Sequence, residues 1–176
     1  MFSLRNIFRP QPDPREARRP LWNAVVAAAR APHWYAEGTV PDTLDGRFDM
    51  ISLVLALVLH RIDEDPAQGI AGVQLTELFV NDMDGQMRQI GFGDMVVGKQ
   101  VGRMMSALGG RLGAYRAADG SNELRGALVR NLWRGAEPTE AGIAHVMAEV
   151  ATLRTWLAAT PVSELVVADR LDGARP

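Results

Sequence analysis

Apolar residues recur three and four positions apart through most of the chain between residues 21 and 160. Because a helix advances about 100° per residue, such positions share one face, and the pattern predicts amphipathic helices. The main predicted helices lie at about 21–31, 46–62, 71–90, 94–118, 122–135 and 139–159. No two segments show the alternation of paired strands. We therefore predict an all-α fold, a single-domain helical bundle of about six to seven helices over residues 21–168.

The predicted helix at 46–62 is apolar around nearly its whole circumference. A helix of this kind needs neighbours on every side, which places it at the centre of the bundle. Asp45, at the end of the preceding loop, is expected to cap its first turn. The longest apolar run, residues 50–59, is only half of the roughly 20 residues that a membrane-spanning helix needs, so we expect a buried core helix.

The two ends of the chain differ from the bundle. Four prolines between residues 9 and 20 disfavour a helix, and residues 1–20 are predicted to be a basic, proline-rich, flexible tail. Residues 169–176 are predicted to be a frayed C-terminus. The whole chain has a net charge of -2 and its first 20 residues are basic, so the remaining body is more negative and is a poor binder of nucleic acid, DNA included, on charge alone.

The basic residues of the tail allow two interpretations. The segment is either a plain disordered tail or a contact with an anionic membrane or with the ribosome. The residues that would make the second kind of contact are Arg5, Arg9, Arg15, Arg18 and Arg19.

The composition removes several classes of chemistry. Cysteine is absent, so disulfides, iron–sulfur clusters, zinc knuckles and a thiol nucleophile are excluded. His33, His60 and His145 stand far apart without partners at metal-ligand spacing, and we expect them to be core or surface histidines. No nucleophile motif or acid–base pair is present, so the sequence predicts no metal, no cofactor and no catalysis.

Two short motifs imitate ligand loops without meeting their requirements. The glycine and lysine spacing from Gly93 to Lys99 begins like a phosphate-binding loop, but Gln100 stands where a hydroxyl is needed and a helix precedes it. The segment at 82–85 begins like a calcium loop but lacks the later oxygen ligands. Neither nucleotide nor calcium binding is predicted.

Asp82 falls in the middle of the apolar face of its predicted helix. A buried carboxylate is costly without a cation or hydrogen bonds, so we expect an ion pair, exposure near the helix end, or a polar patch that receives a partner. The cations considered are Arg47, Lys99, Arg103 and Arg111.

A line of small residues runs along the helix predicted at 94–118, although glycine costs up to about 1 kcal/mol in a helix interior. Either a neighbouring helix of the same chain packs closely there or the line forms a groove for a foreign helix. Its members are Gly98, Gly102, Ser106, Gly109, Gly113 and Ala117.

Three long segments carry a resemblance to a known family. They are VPDTLDGRFDMISLVLALVLHRI at 40–62, LTELFVNDMDGQMRQIGFGDMVVGKQVGRM at 75–104 and GGRLGAYRAA at 109–118. There the chain resembles the ubiquinol-cytochrome c chaperones, which are assembly factors of the cytochrome bc1 complex in alphaproteobacteria and mitochondria. The likeness runs from about residue 21 to residue 132.

The resemblance implies a non-catalytic, all-helical chaperone that binds newly synthesised cytochrome b and holds no cofactor. In mitochondria the resemblance further implies the ribosome and a second assembly factor as partners, and for this chain both stay open. The expected location is the cytoplasm, either free or peripheral at the inner face of the membrane. Its motif and client-binding residues map to Asp45, Arg47, Phe48, Asp82, Asp84, Arg88, Asp94, Lys99, Arg103, Arg111 and Tyr115.

Methionines on the two long helices suit transient binding of apolar segments, although such methionines also fill cores. The hypothesis is that the surface joining these helices holds the client. The alternative hypotheses are a helical adaptor, or a haem-binding module peripheral to the membrane with His60 or His145 as ligand. The methionines are Met83, Met87, Met95, Met104 and Met105.

Overall fold

The helices predicted from apolar periodicity are present in the computed structural model, which describes residues 13–89, 94–118 and 120–175. In chain order the α-helices are α1 (Arg19–Ala29), α2 (His33–Ala36), α3 (Leu44–Asp63), α4 (Gly69–Gln89), α5 (Asp94–Arg116), α6 (Ser121–Leu132), α7 (Glu140–Ala159) and α8 (Val162–Leu165). Two of them, the short helices α2 and α8, were not predicted. The described ranges contain 3-10 turns at Pro14–Arg18 and Pro66–Gln68 and no strand. The predicted all-α, single-domain bundle is confirmed.

The central position of α3 is also confirmed. It packs against α1, α4, α5, α6 and α7, and its residues from 49 to 59 are all buried. Apolar side chains around the whole circumference give it no face that favours water. The N-cap of the helix is Thr43, whose hydroxyl accepts a hydrogen bond from the Gly46 amide at 3.1 Å. Thr43 and not Asp45 is therefore the cap, and Asp45 lies in the first turn.

Residues 82–85 continue α4 and residues 94–100 begin α5, so both ligand-loop imitations are helical where the structure describes them. The glycines expected to break the helix between them, Gly91 and Gly93, lie outside the described residues. None of the helices in the described ranges is long and apolar enough to cross a membrane.

The helical fold begins earlier than the predicted boundary at residue 21. Asp13 accepts from the Arg15 amide at 2.9 Å, and the turn Pro14–Arg18 packs on α1 and α4. A proline is tolerated in the first turn of a helix because its missing donor would be unpaired there anyway. The proline-rich composition therefore marks a helix start at residues 13–20 rather than a flexible tail.

The C-terminal segment also returns to the bundle instead of fraying. Leu171 is buried, and a Cβ added at Gly173 would lie 2.3 Å from the Cβ of Trp156. Arg175 forms an ion pair with Glu37 at 3.0 Å. Contacts with distant parts of the chain hold this segment, and local sequence composition does not show them.

Candidate functional site

A cleft of about 710 Å³ opens where α3, α4 and α5 meet the end of α6. Its apolar side is formed by Phe48 and Ile51 of α3, by Met83 and Met87 of α4, and by Met104 of α5. Methionine side chains are unbranched and polarisable, so they adapt to irregular apolar partners. We call this site the arginine cleft because six arginines also line it. They are Arg30, Arg47, Arg103, Arg111, Arg130 and Arg134.

The arginine cleft is positively charged over its described lining, where Asp45 is the one carboxylate. Arg47 pairs with Asp42 at 2.6 Å, and Arg103 donates to the neutral side chain of Gln100 at 3.0 Å. Arg30, Arg103 and Arg130 are exposed and form no ion pair with the described part of the chain. Their charges are available to an anionic group on a ligand.

Asp49 anchors the wall of the cleft. Its carboxylate is completely buried in α3 and accepts hydrogen bonds from Arg111 at 2.5 Å and from Arg134 at 2.9 Å. Burial raises the pKa of Asp49, and the two guanidinium groups oppose this rise. The bonds join α3 to α5 and to the end of α6, because the two arginines come from different elements.

Arg134 reaches Asp49 from an unusual backbone conformation. Its φ is 54°, and the following Gly135 has φ of 82°. A non-glycine residue rarely adopts positive φ, and the conformation costs of the order of 1 kcal/mol or more. The side chain also pairs with Asp45 at 2.9 Å, so this turn is held by two carboxylates of α3.

Arg111 adds an aromatic contact to the same wall. Its guanidinium carbon lies 5.3 Å from the ring centre of Phe48, in cation–π distance. Phe48 in turn contacts the Phe79 ring of α4, with 5.9 Å between the centroids. The apolar floor and the charged wall of the cleft are therefore one packed structure.

The arginine cleft brings together five of the eleven motif residues predicted from the sequence. These are Asp45, Arg47, Phe48, Arg103 and Arg111. Tyr115 lies elsewhere, in the core, where burial raises the pKa of its phenol. Asp84 pairs with Arg88 at 2.7 Å on the surface of α4, and Lys99 is exposed on α5. The side chain of Asp94 lies outside the described part of the chain.

Asp82 does meet a cation, but not one of the four considered. It accepts hydrogen bonds from the indole of Trp22 and, at 3.4 Å, from Arg19. The reason is that α1 packs against this face of α4, whereas Arg103 and Arg111 line the arginine cleft. Asp82 is thus a link between α1 and α4 and not a residue of the cleft.

The arginines predicted to contact membrane or ribosome divide into two groups. Arg15 pairs with Asp13, Arg18 donates to the carbonyl of Val166 at 2.7 Å, and Arg19 bonds Glu16 and Asp82. These three side chains are engaged within the fold. The other two, Arg5 and Arg9, lie outside the described residues.

The glycine line on α5 packs against no helix in the described part of the chain. A Cβ added at the glycines of this line would have no neighbour within 4 Å. Those glycines, with Ser106 and Ala117, are exposed along α5. The expectation of close intramolecular packing is wrong, because α3 and α4 cover the other faces of the helix.

The histidines of the haem alternative are engaged inside the protein. His60 donates from Nε2 to the carbonyl of Leu112 at 2.9 Å, and His145 contacts His33 at the same distance. Sequence reasoning missed this pairing, together with the roles of Asp49 and Arg134. Asp49 carried one signal, a charge inside the helix predicted to be buried on every side.

Comparisons with known proteins agree with this architecture. The chain matches the family model described as ubiquinol-cytochrome C chaperone over residues 36–170. The Cbp3 homolog from Brucella abortus has a similar crystal structure, with a TM-score of 0.77 and 32% identity over 88% of this chain and 87% of that chain. No curated protein gives a significant match. The chain therefore belongs to the ubiquinol-cytochrome c chaperone family.

Proposed function

We propose that this protein is a non-catalytic assembly chaperone that holds newly synthesised cytochrome b in its arginine cleft while the bc1 complex is assembled. Family membership supports the assembly role. The observation that supports the binding site is the methionine-lined cleft, bordered by three exposed arginines that form no ion pair in the described chain.

The chemistry of the cleft suits a segment of a membrane protein before assembly. Such a segment presents apolar side chains of variable shape, and Met83, Met87 and Met104 adapt to different shapes without a rigid pocket. Arg103 and Arg130 provide exposed charges that pair with acidic groups flanking the apolar stretch. The sequence hypothesis located the client on the surface joining α4 and α5, and the cleft lies at one side of that surface.

The proposed mechanism requires binding and release but no reaction. An apolar stretch that occupies the cleft is removed from water, at about 25 cal/mol per Å² of buried apolar area. The same area is then unavailable for aggregation. Charged pairs at the cleft border orient the segment and speed its capture. Contact of Arg5 and Arg9 with the membrane or ribosome, and a position at the inner face of the membrane, belong to this proposal as well.

A photocrosslinking experiment tests the client and the site together. A photoreactive phenylalanine analogue replaces Met87 in the cleft or, as a control, Thr152 on the exposed face of α7. Both proteins are expressed in their native cells, irradiated and purified, and the crosslinked proteins are identified by mass spectrometry. We expect cytochrome b crosslinks from position 87 and not from position 152. Equal capture at both positions would contradict the site, and no capture in cells assembling the bc1 complex would contradict the client.

A further inference from the structure

Two histidines that are 112 residues apart in sequence meet on the side of the bundle that α2 and α7 share. Nδ1 of His33 lies 2.9 Å from Nε2 of His145. Glu149 follows His145 by one helical turn on α7, so the two side chains share a face. Ligand atoms of His33, His145 and Glu149 all lie within 4.8 Å of one another. We propose that these three side chains bind a divalent first-row transition-metal ion such as Zn²⁺.

The donor set fits this class of metal. Two imidazole nitrogens and one carboxylate oxygen are the ligands that zinc and its neighbours accept, with a fourth position open to water. Metal–nitrogen bonds of about 2.0–2.1 Å place two nitrogens of a tetrahedral site roughly 3.3 Å apart. The observed 2.9 Å therefore requires the two rings to separate by only a few tenths of an ångström.

A carboxylate lies beside the other ring nitrogen of His145. Nδ1 of His145 is 3.5 Å from the carboxylate of Glu37, an ion-pair distance rather than a hydrogen bond, and Glu37 also pairs with Arg175. A small movement of the ring would let Nδ1 donate to this carboxylate. A histidine that donates from one nitrogen to a carboxylate keeps the lone pair of the other nitrogen for a metal. Here that other nitrogen, Nε2, is the atom facing His33.

The scaffold around the three ligands is closely packed. A Cβ added at Gly142 of α7 would lie 2.4 Å from the Thr39 hydroxyl and 2.9 Å from the Gly38 carbonyl. The indole of Trp133 donates to the Thr39 carbonyl at 3.0 Å. The segment after α2 is therefore fixed on the start of α7. His33 precedes this contact on α2, and His145 and Glu149 follow it on α7. A metal here joins two distant parts of the chain and stabilises the bundle rather than performing chemistry in the arginine cleft.

Metal titration of the full-length protein tests the site. The protein is stripped with a chelator and titrated with ZnCl₂ by calorimetry, and with Co²⁺ followed by visible absorption. We expect one zinc ion per chain, the absorption of four-coordinate cobalt with nitrogen ligands, and no binding of Mg²⁺ or Ca²⁺. At a zinc concentration one hundred times the Kd, the folded-to-unfolded ratio rises about a hundredfold.

Matched variants separate this site from surface binding. H145Q and E149Q remove ligands, while H60Q and E140Q are the controls; Glu140 lies on the same helix and pairs with Arg125. We expect zinc affinity to fall at least about tenfold in the ligand variants, to fall about tenfold in E37Q, and to stay unchanged in the controls. Circular dichroism checks that each variant is folded. Absence of zinc binding, or equal affinity in H145Q, E149Q and the controls, would overturn the proposal.

Discussion

The carboxylate of Asp49, enclosed in α3, accepts a hydrogen bond at 2.9 Å from Arg134, a residue held at a φ of 54° beyond the end of α6. The strained backbone persists because charge-assisted bonds with Asp49 and Asp45 offset its cost. Arg111 supplies the second bond to Asp49. One buried acid thus fixes the positions of two arginines of the arginine cleft.

Replacing Asp49 by alanine is expected to lower the free energy of unfolding by about 3 kcal/mol or more, because Arg111 is then left buried without its partner. D63A is the control, since Asp63 lies on the same helix in an exposed pair with Arg116. This substitution is expected to lower the free energy of unfolding by at most about 1 kcal/mol. Urea unfolding followed by circular dichroism measures both. Similar losses in the two variants would show that the Asp49 cluster adds nothing to stability.

The link between Trp22 and Asp82 gives a second prediction. W22F removes a donor to a carboxylate and is expected to cost about 1.5–3 kcal/mol beyond the packing loss of the smaller ring. W133F removes a similar volume from a buried site but loses only a bond to the neutral Thr39 carbonyl, which contributes about 0.5–1.5 kcal/mol. Thermal and urea unfolding compare the variants, and a greater loss in W133F would argue against a charge-assisted bond at Trp22.

Two glycine-to-alanine substitutions are expected to change the stability of the protein in opposite directions. G109A meets no atom within 4 Å and should stabilise α5 by up to about 1 kcal/mol, since alanine loses less backbone freedom in a helix. G142A collides with Thr39 and the Gly38 carbonyl and should destabilise the fold by about 1–3 kcal/mol. Melting temperatures provide the comparison. If G109A also reduces cytochrome b capture, the exposed glycine line contacts the client.

The stability of the protein should fall as the pH falls below about 6.5, the ordinary pKa of histidine. Burial lowers the pKa of His60, so between its folded and unfolded values the unfolded chain binds more protons. Stability therefore rises with pH across this window. The slope of unfolding free energy against pH reports the difference in bound protons between the unfolded and folded states. H60Q should reduce this difference by at most one proton, as measured by urea unfolding at several pH values. An unchanged slope would mean that His60 titrates alike in both states.

Charge reversal in the arginine cleft should weaken client binding. R103E places a negative charge where the proposal requires a positive one and is expected to reduce cytochrome b capture at least about tenfold, with a weaker dependence on salt. R170E reverses an exposed arginine that does not line the cleft and serves as the control. Quantitative crosslinking at position 87 measures the effect, with folding checked by circular dichroism. Unchanged capture in R103E would exclude this arginine from the binding surface.

Apolar periodicity was sufficient to predict the helices because each core stripe is encoded within a few turns of one segment. The burial of α3 from residue 49 to residue 59 followed from its uniform apolar surface for the same reason. The ends of the fold were predicted less well. Asp13 caps a proline-initiated turn, and Arg18 bonds Val166 from the opposite end of the chain. Such contacts have no local pattern.

The candidate site was predictable in part. The family motifs supplied Phe48, Arg103 and Arg111, which the fold brings into one cleft. Asp49 bonds partners that are 62 and 85 residues away, so no spacing rule identifies it. The pairing of His33 with His145 depends in the same way on how α2 docks on α7. Long-range packing decided each of these cases, while sequence periodicity carries only short-range information.

The hydrogen bond from Trp22 to Asp82 also has a structural consequence, since Asp82 directly precedes Met83 of the cleft floor. The same stretch of α4 bonds Arg19, which continues the chain from the N-terminal turn. The position of the part of α4 that carries Met83 therefore depends on α1 and on the turn that precedes α1. The N-terminal turn, far from the cleft floor in sequence, thus takes part in fixing its position.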